Sequence, residues 1–126
     1  MLTYIKGLDT VLDNLEKKMD KLTKASMKGL VTAVNMIEYE TDSVPPLVPI
    51  DLGNLRASFF RDPRYTATGP VVRFGYTAAY AWWVHENVGA TFQRPGAGAK
   101  WLEAAIKRNE ERILMIIQGA IVKEGL

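Results

Sequence analysis

The chain contains no cysteine and a single histidine, His85. Without thiols there is neither a disulfide nor a Cys-based metal site, and cysteine usage carries no information about redox compartment. One histidine, with no repeated Asp-x-Asp spacing, leaves only scattered carboxylates and no metal-ligand pattern. No run of about 18 apolar residues occurs, so no membrane span is expected. The opening Met1-Leu-Thr-Tyr-Ile-Lys-Gly7 lacks a basic stretch leading into an apolar one and does not read as a secretory signal. Charge of neither sign dominates: a net +2 gives no argument by itself for nucleic acid or a membrane surface. With 48% apolar and 24% charged residues, the 126-residue chain reads as one globular domain with a modest core.

Proline is also missing before Pro45, which leaves residues 3–41 free to form one long helix. Leu8, Leu12, Leu15, Met19 and Leu22 follow one another at spacings of 4, 3, 4 and 3, a single helical stripe. Asp9, Asp13, Asp20, Lys17, Lys18 and Lys21 fill the remaining faces, and Leu30, Val31, Val34 and Ile37 carry an apolar face onward. Ser26 and Gly29 interrupt it, where a kink or a close helix crossing is expected. A helix this long in so small a domain packs on a neighbour or projects outward. Pro45, Pro46 and Pro49 then mark residues 42–50 as a stiff, extended connector.

Residues 51–97 form a β-rich centre. Asp51 is placed to cap a short helical turn through Leu55 and Arg56. Ser58–Arg61 reads as a strand that Asp62-Pro63 should break, Thr68-Gly69-Pro70 as a turn, and Val71–Phe74 as the second strand of a hairpin. Residues 76–86 read as a short helix with Tyr80, Trp83 and Val84 on one face and Trp82 turned away. Gly96 and Gly98 read as turn and helix entry, since no phosphate-loop pattern accompanies them. A second long helix is expected over residues 99–123, its core face made by Trp101, Leu102, Ala105, Ile106, Ile113, Ile116, Ile117 and Ile121. The order is that of an α+β fold, with long N- and C-terminal helices on a small antiparallel sheet.

Little in this pattern is chemistry. His85-Glu86 is the one place where catalytic residue types adjoin, but neighbours on a helix or strand do not face each other. No Gly-x-Ser-x-Gly turn accompanies them, so no triad can be assembled. No catalytic, cofactor-binding or metal-binding residue is assigned. Tryptophan and arginine stand out instead. Between Ser43 and Ala97 every cation is an arginine (Arg56, Arg61, Arg64, Arg73 and Arg94), whereas the lysines lie in the flanking helices. Arginine favours carboxylate clamps and interfaces. Trp82 and Trp83 point in different directions, one able to pack inside while the other meets a partner.

Three segments carry a resemblance. Pro49-Ile-Asp51-Leu-Gly53-Asn-Leu55-Arg56-Ala-Ser58 is similar to a Pro-x-Asp/Arg-Thr-Gly-x-Leu-Arg-x-Ser motif, with Leu52 where threonine is usual. Tyr80-Ala-Trp82-Trp83-Val-His85-Glu86 matches a Tyr-Ala-x-Tyr/Trp-Val-His/Glu-Glu element, and Lys100-Trp101-Leu102-Glu-Ala-Ala105 a Pro-x-x-Phe-Leu-x-x-Ala element with Trp for Phe. The glycine that often follows His-Glu is displaced by Asn87-Val88. In this order, between two long helices, the segments resemble the neck proteins of tailed bacteriophages: head–tail connector or tail-completion proteins. The resemblance spans residues 3–123 and implies an α+β virion subunit that joins a homo-oligomeric ring around the DNA channel. Its partners would be copies of itself, portal or adaptor, and tail-tube or tail-terminator proteins, with genomic DNA nearby and no enzyme activity or cofactor. The expected location is the virion neck, after assembly in the host cytoplasm.

For the individual residues, Gly53 would permit a tight turn, Leu55 anchor the short turn, and Arg56 clamp a carboxylate. Trp82, Trp83, Arg56, His85, Glu86 and Arg94 are the interface candidates; Asp51, Gly53, Leu55, Tyr80, Trp101 and Leu102 are structural. Asp51, Glu86 and Glu103 are the anions expected to meet the arginines, and residues 63–70 and 87–98 the loops expected to order on assembly. Three rivals stand beside this reading. One is a tail-terminator or minor capsid role; another is a small nucleic-acid-binding module using Arg56, Arg61, Arg64 and Arg73 with aromatics between them. The third is an enzyme centred on His85 and Glu86.

Overall fold

A computed structural model describes residues 7–50 and 54–125; the expectations for Asp51 and Gly53 lie outside the described residues. The protein is α+β. Helix α1 spans Leu8–Ser43, 36 residues and about 54 Å long at 1.5 Å per residue. A 3₁₀ turn, Arg56–Ser58, leads into strand β1 (Phe59–Thr66), which pairs antiparallel with β2 (Gly69–Tyr76). The short helix α2 (Ala81–Glu86) follows, then α3 (Trp101–Arg108) and α4 (Glu110–Lys123).

The hairpin is longer than the sequence predicts. β1 runs through Asp62-Pro63, and the turn shrinks to Ala67-Thr68. Pro63 pairs with Val72 and Pro70 with Tyr65, two ladder positions of the same parity. In a two-stranded ribbon every second pair has its N–H groups pointing outward, so both prolines fit without removing a ladder bond. Residues 63–70 are therefore the far half of the ribbon rather than a loop. Phe59, Phe74 and Tyr76 share one face; Phe59 stands edge-on to Tyr76 at 5.3 Å and tilted against Phe74 at 6.3 Å. Phe60 takes the other face, over Gly75.

The second long helix is broken. Buried Asn109 leaves helical geometry (φ −114°, ψ 17°) and turns its side-chain Nδ2 back to the Ala105 carbonyl at 2.8 Å. The Asn109 carbonyl then accepts the Ile113 N–H, which starts α4. Asparagine competes in this way with the backbone pattern of a helix interior. α4 runs antiparallel to α1: Glu40 lies near Arg112, Gly29 lies against Ile117 and Ala120, and Lys28 lies near Glu124. Gly29 is a close crossing, as its position in the sequence predicts. A Cβ there would come within 2.8 Å of the Ile117 Cα.

The core has two parts. Val48, Leu55, Ala81, Val84 and Trp101 form one, and Met36, Ile37 and Ala105 the other; Leu102 packs against both. The expected anchoring role of Leu55 is seen in its complete burial. The proline-rich connector is itself core rather than a spacer. Val48 and Pro49 are fully buried, and Leu47 hydrogen-bonds through its N–H to Gly96 O (2.8 Å) and through its carbonyl to Gly98 N (3.2 Å). Gly96, at φ +84°, makes room for this clip, since a side chain there would press on Leu47.

Candidate assembly interface

α2 is only six residues long. Ala81 and Val84 are its buried face, half held by the Val84 N–H to Tyr80 O bond. Positions 82 and 83 must then point away. Trp82 is 75% exposed and Trp83 63%, with Val88 at 76% just beyond. The expectation that Trp83 joins Tyr80 and Val84 inside is overturned. A helix this short buries only an i, i+3 pair, and the interior beneath it is already filled by Trp101, which has no exposed surface. Tyr80 is half-buried against this core. The two exposed rings border shallow hollows. One, of about 210 Å³, is lined by Tyr76, Ala81, Trp82, His85, Trp101 and Leu102; the other, of about 270 Å³, by Trp82, Trp83, Glu86 and Asn87.

His85 sits beneath this patch. Its ring stands edge-on to Trp101 at 4.8 Å, its Nδ1 lies 3.1 Å from Glu86 Oε1, and its Nε2 faces the Glu103 N–H at 3.5 Å. Contrary to the sequence expectation, the neighbours His85 and Glu86 do touch, because α2 ends there and Glu86 is free to fold back. The arrangement suits the tautomer that carries its proton on Nδ1. Lys100 closes the group by donating to Glu86, while its backbone N–H binds the His85 carbonyl at 2.8 Å. Those bonds hold Lys100 in the left-handed region, φ +61°, where a side chain is strained. The Lys100 ammonium first, and the His85 ring second, draw the Glu86 carboxyl below its usual range. Lys107, and then Lys100, do the same for Glu103.

The arginines are held by other anions than expected. Glu86 and Glu103 pair with lysines. Apart from Asp62 beside Arg64 in β1, the carboxylates that meet the arginines lie in the last turns of α1. Arg94 reaches Asp42 Oδ1 at 2.6 Å and donates to the carbonyls of Val48 (2.9 Å) and Asp42 (3.2 Å). Arg56 approaches the same Asp42 at 3.4 Å, Arg61 pairs with Glu38, and Arg64 with Asp62. Arg56 and Arg94 are thus used inside the chain and do not join the tryptophan patch. The signal for this was present in the sequence. Glu38, Glu40 and Asp42 crowd the C-terminal end of a helix that has no basic residue in its last turn. That placement opposes the helix dipole and calls for outside cations.

The hairpin, α1 and the 3₁₀ turn enclose an open cleft of about 430 Å³. Its charged residues, Glu38, Asp42 and Arg56, face one another or Arg61 and Arg94 as ion pairs instead of converging on the space. Tyr76 closes its floor. Burial raises the Tyr76 hydroxyl above its ordinary pKa of 10.0, against the opposing hydrogen bond to Thr41. The Trp101 indole N–H also favours the phenolate, although it is not aligned well enough to hydrogen-bond. Among the described residues, no group of three or more His, Asp or Glu is placed to hold a metal ion. No helix among them is long and apolar enough to cross a membrane. No protein-family model, curated protein or solved structure matches the chain.

Proposed function

We propose that the protein is a structural subunit of a tailed-phage virion, a neck or tail-completion protein that joins head and tail as a homo-oligomeric ring around the DNA channel. The observation that carries this reading is the exposure of Trp82 and Trp83 side by side on a helix fixed from below by Val84, His85 and Trp101. Two rigid, uncovered indoles have the composition of an interface hot spot. The motif order in the sequence supplies the phage context. Portal or adaptor and tail proteins are the further partners in this reading. Its rival in another class, a nucleic-acid-binding module, has less to stand on, since Arg56, Arg61 and Arg64 each face a carboxylate of their own chain.

Light scattering or native mass spectrometry across a concentration series tests the proposal. A discrete assembly several times 14.1 kDa is expected. Trp82→Ala or Trp83→Ala should weaken it by roughly 30-fold, the effect of losing a hot spot of about 2 kcal/mol, with the circular dichroism unchanged. A 14.1 kDa mass at every concentration would count against the ring.

A further inference from the structure

The first four turns of α1, Leu8–Leu22, are exposed along their whole length. Leu8, Leu12, Leu15, Met19 and Leu22 continue, on the same side of the helix, the face that lower down packs on α4 through Gly29, Ala33 and Met36. α4 stops at Lys123, alongside Lys28, so the upper stripe is left bare; Met19 is 67% exposed. A second bare stripe lies on the opposite side of α4 from α1. Glu111, Met115, Gln118 and Val122 recur at spacings of 4, 3 and 4, all exposed, with Met115 at 69% and Val122 at 68%. Neither surface can reach the other within one molecule, because the first lies beyond the end of α4 and the second faces away from α1.

We infer that the bare arm of α1 docks antiparallel on the outer face of α4 in the next copy of this chain, making a head-to-tail contact. The inference rests on the ring reading and adds to the tryptophan patch a second pair of surfaces that meet between copies. Spacing and charge both select this occupant and this direction. With Leu15 opposite Met115, Leu8 falls opposite Val122, and the two 4-3-4 stripes stay in step. One edge of the arm carries Asp9 and Glu16, the other Val11 and Lys18. One edge of the α4 face carries Arg112, the other Leu114 and Ile121. Antiparallel helices bring corresponding edges together. Glu16 then meets Arg112, which is 60% exposed although 3.6 Å from Glu40. Val11 meets Ile121, and Lys18 falls beside Glu111. A parallel arrangement reverses the edges: it sets Lys18 against Arg112 and the two acids against Leu114 and Ile121. Two arms pairing with each other antiparallel would bring Asp9 and Glu16 of one onto those of the other, and would leave the α4 stripe uncovered. The contact is heterologous, and a heterologous contact repeated through a closing rotation gives a ring.

The absence of native cysteine makes the test clean. In the full chain, Leu15→Cys with Met115→Cys should give, on mild oxidation, a ladder of disulfide-linked oligomers on a non-reducing gel. Either single variant should give none, and Leu8→Cys with Met115→Cys, offset by two turns, should give none. All these positions are exposed, so circular dichroism should match that of the parent. Dimers from Leu15→Cys alone would overturn the inference in favour of arm-to-arm pairing. An intact oligomer by native mass with no ladder would overturn it and leave the ring standing. A chain that stays monomeric in every variant and in the parent would overturn both.

Discussion

Trp101 is the residue on which the interior turns. Tyr76 leans on it at 5.7 Å, His85 at 4.8 Å, and Val48, Leu55 and Val84 fill in around it. Its indole Nε1 is buried with no hydrogen-bond partner. Two substitutions separate the ring from the N–H. Trp101→Ala should cost about 3–5 kcal/mol in urea unfolding, the usual loss for deleting a buried aromatic. Trp101→Phe should cost clearly less. It leaves a smaller void and removes an unpaired N–H whose burial costs about 1–3 kcal/mol. Tyr76 offers a pH measurement. Its folded-state pKa is raised by burial, so the neutral phenol is the form the fold prefers. The stability from that preference is complete below the unfolded value of about 10 and is lost as pH climbs through the folded one. Tyr76→Phe should therefore show a shallower loss of stability above pH 10 than the parent, in unfolding curves taken at stepped alkaline pH.

Among elements, α1 shows both what periodicity reveals and where it stops. Its 4-3-4-3 stripe and the close approach at Gly29 were legible, because both follow from spacing and side-chain size. Gly→Ala in a helix interior normally gains up to about 1 kcal/mol. Here the added methyl would meet backbone of α4 at 2.8 Å, which cannot swing aside. Gly29→Ala should instead lower stability by about 1–3 kcal/mol, read as a shift in the thermal midpoint, because α4 must move off α1. The break at Asn109 was not legible from the apolar pattern, which runs through it in register. Asn109-Glu110-Glu111, a helix-start signature, was the clue. The hairpin was legible as a pair of strands but not in its length, since proline stops a strand only where its N–H would face the partner. α2 was legible as a helix, but six residues are too few for spacing to say which tryptophan is inside.

In the whole molecule, the α+β layout and the order of its parts could be read from the sequence. How the middle attaches to the helices could not. The connector reads as a stiff spacer, but it is buried and clipped to Gly96 and Gly98 about fifty residues on, a pairing that no local pattern encodes. The arginine-to-α1 ion pairs are of the same kind, joining Asp42 to Arg94 and Glu38 to Arg61 across the chain. Candidate interface residues chosen by type thus divided by topology: Arg56 and Arg94 pair with Asp42 of their own chain, and the tryptophans on the short helix stay exposed.

The crossing at Gly29 has a kinetic side. Helix-rich chains are usually fast folders, because their contacts are close in sequence. Here the two principal helices meet through positions 29 and 117, about ninety residues apart, and every intervening segment must be looped out before that contact forms. Chain-closure entropy, rather than helix formation, then sets the barrier. A protein that looks α-helical by composition should refold at the pace of a β-sandwich, leaving α1 and α4 with their apolar faces bare while the middle assembles between them.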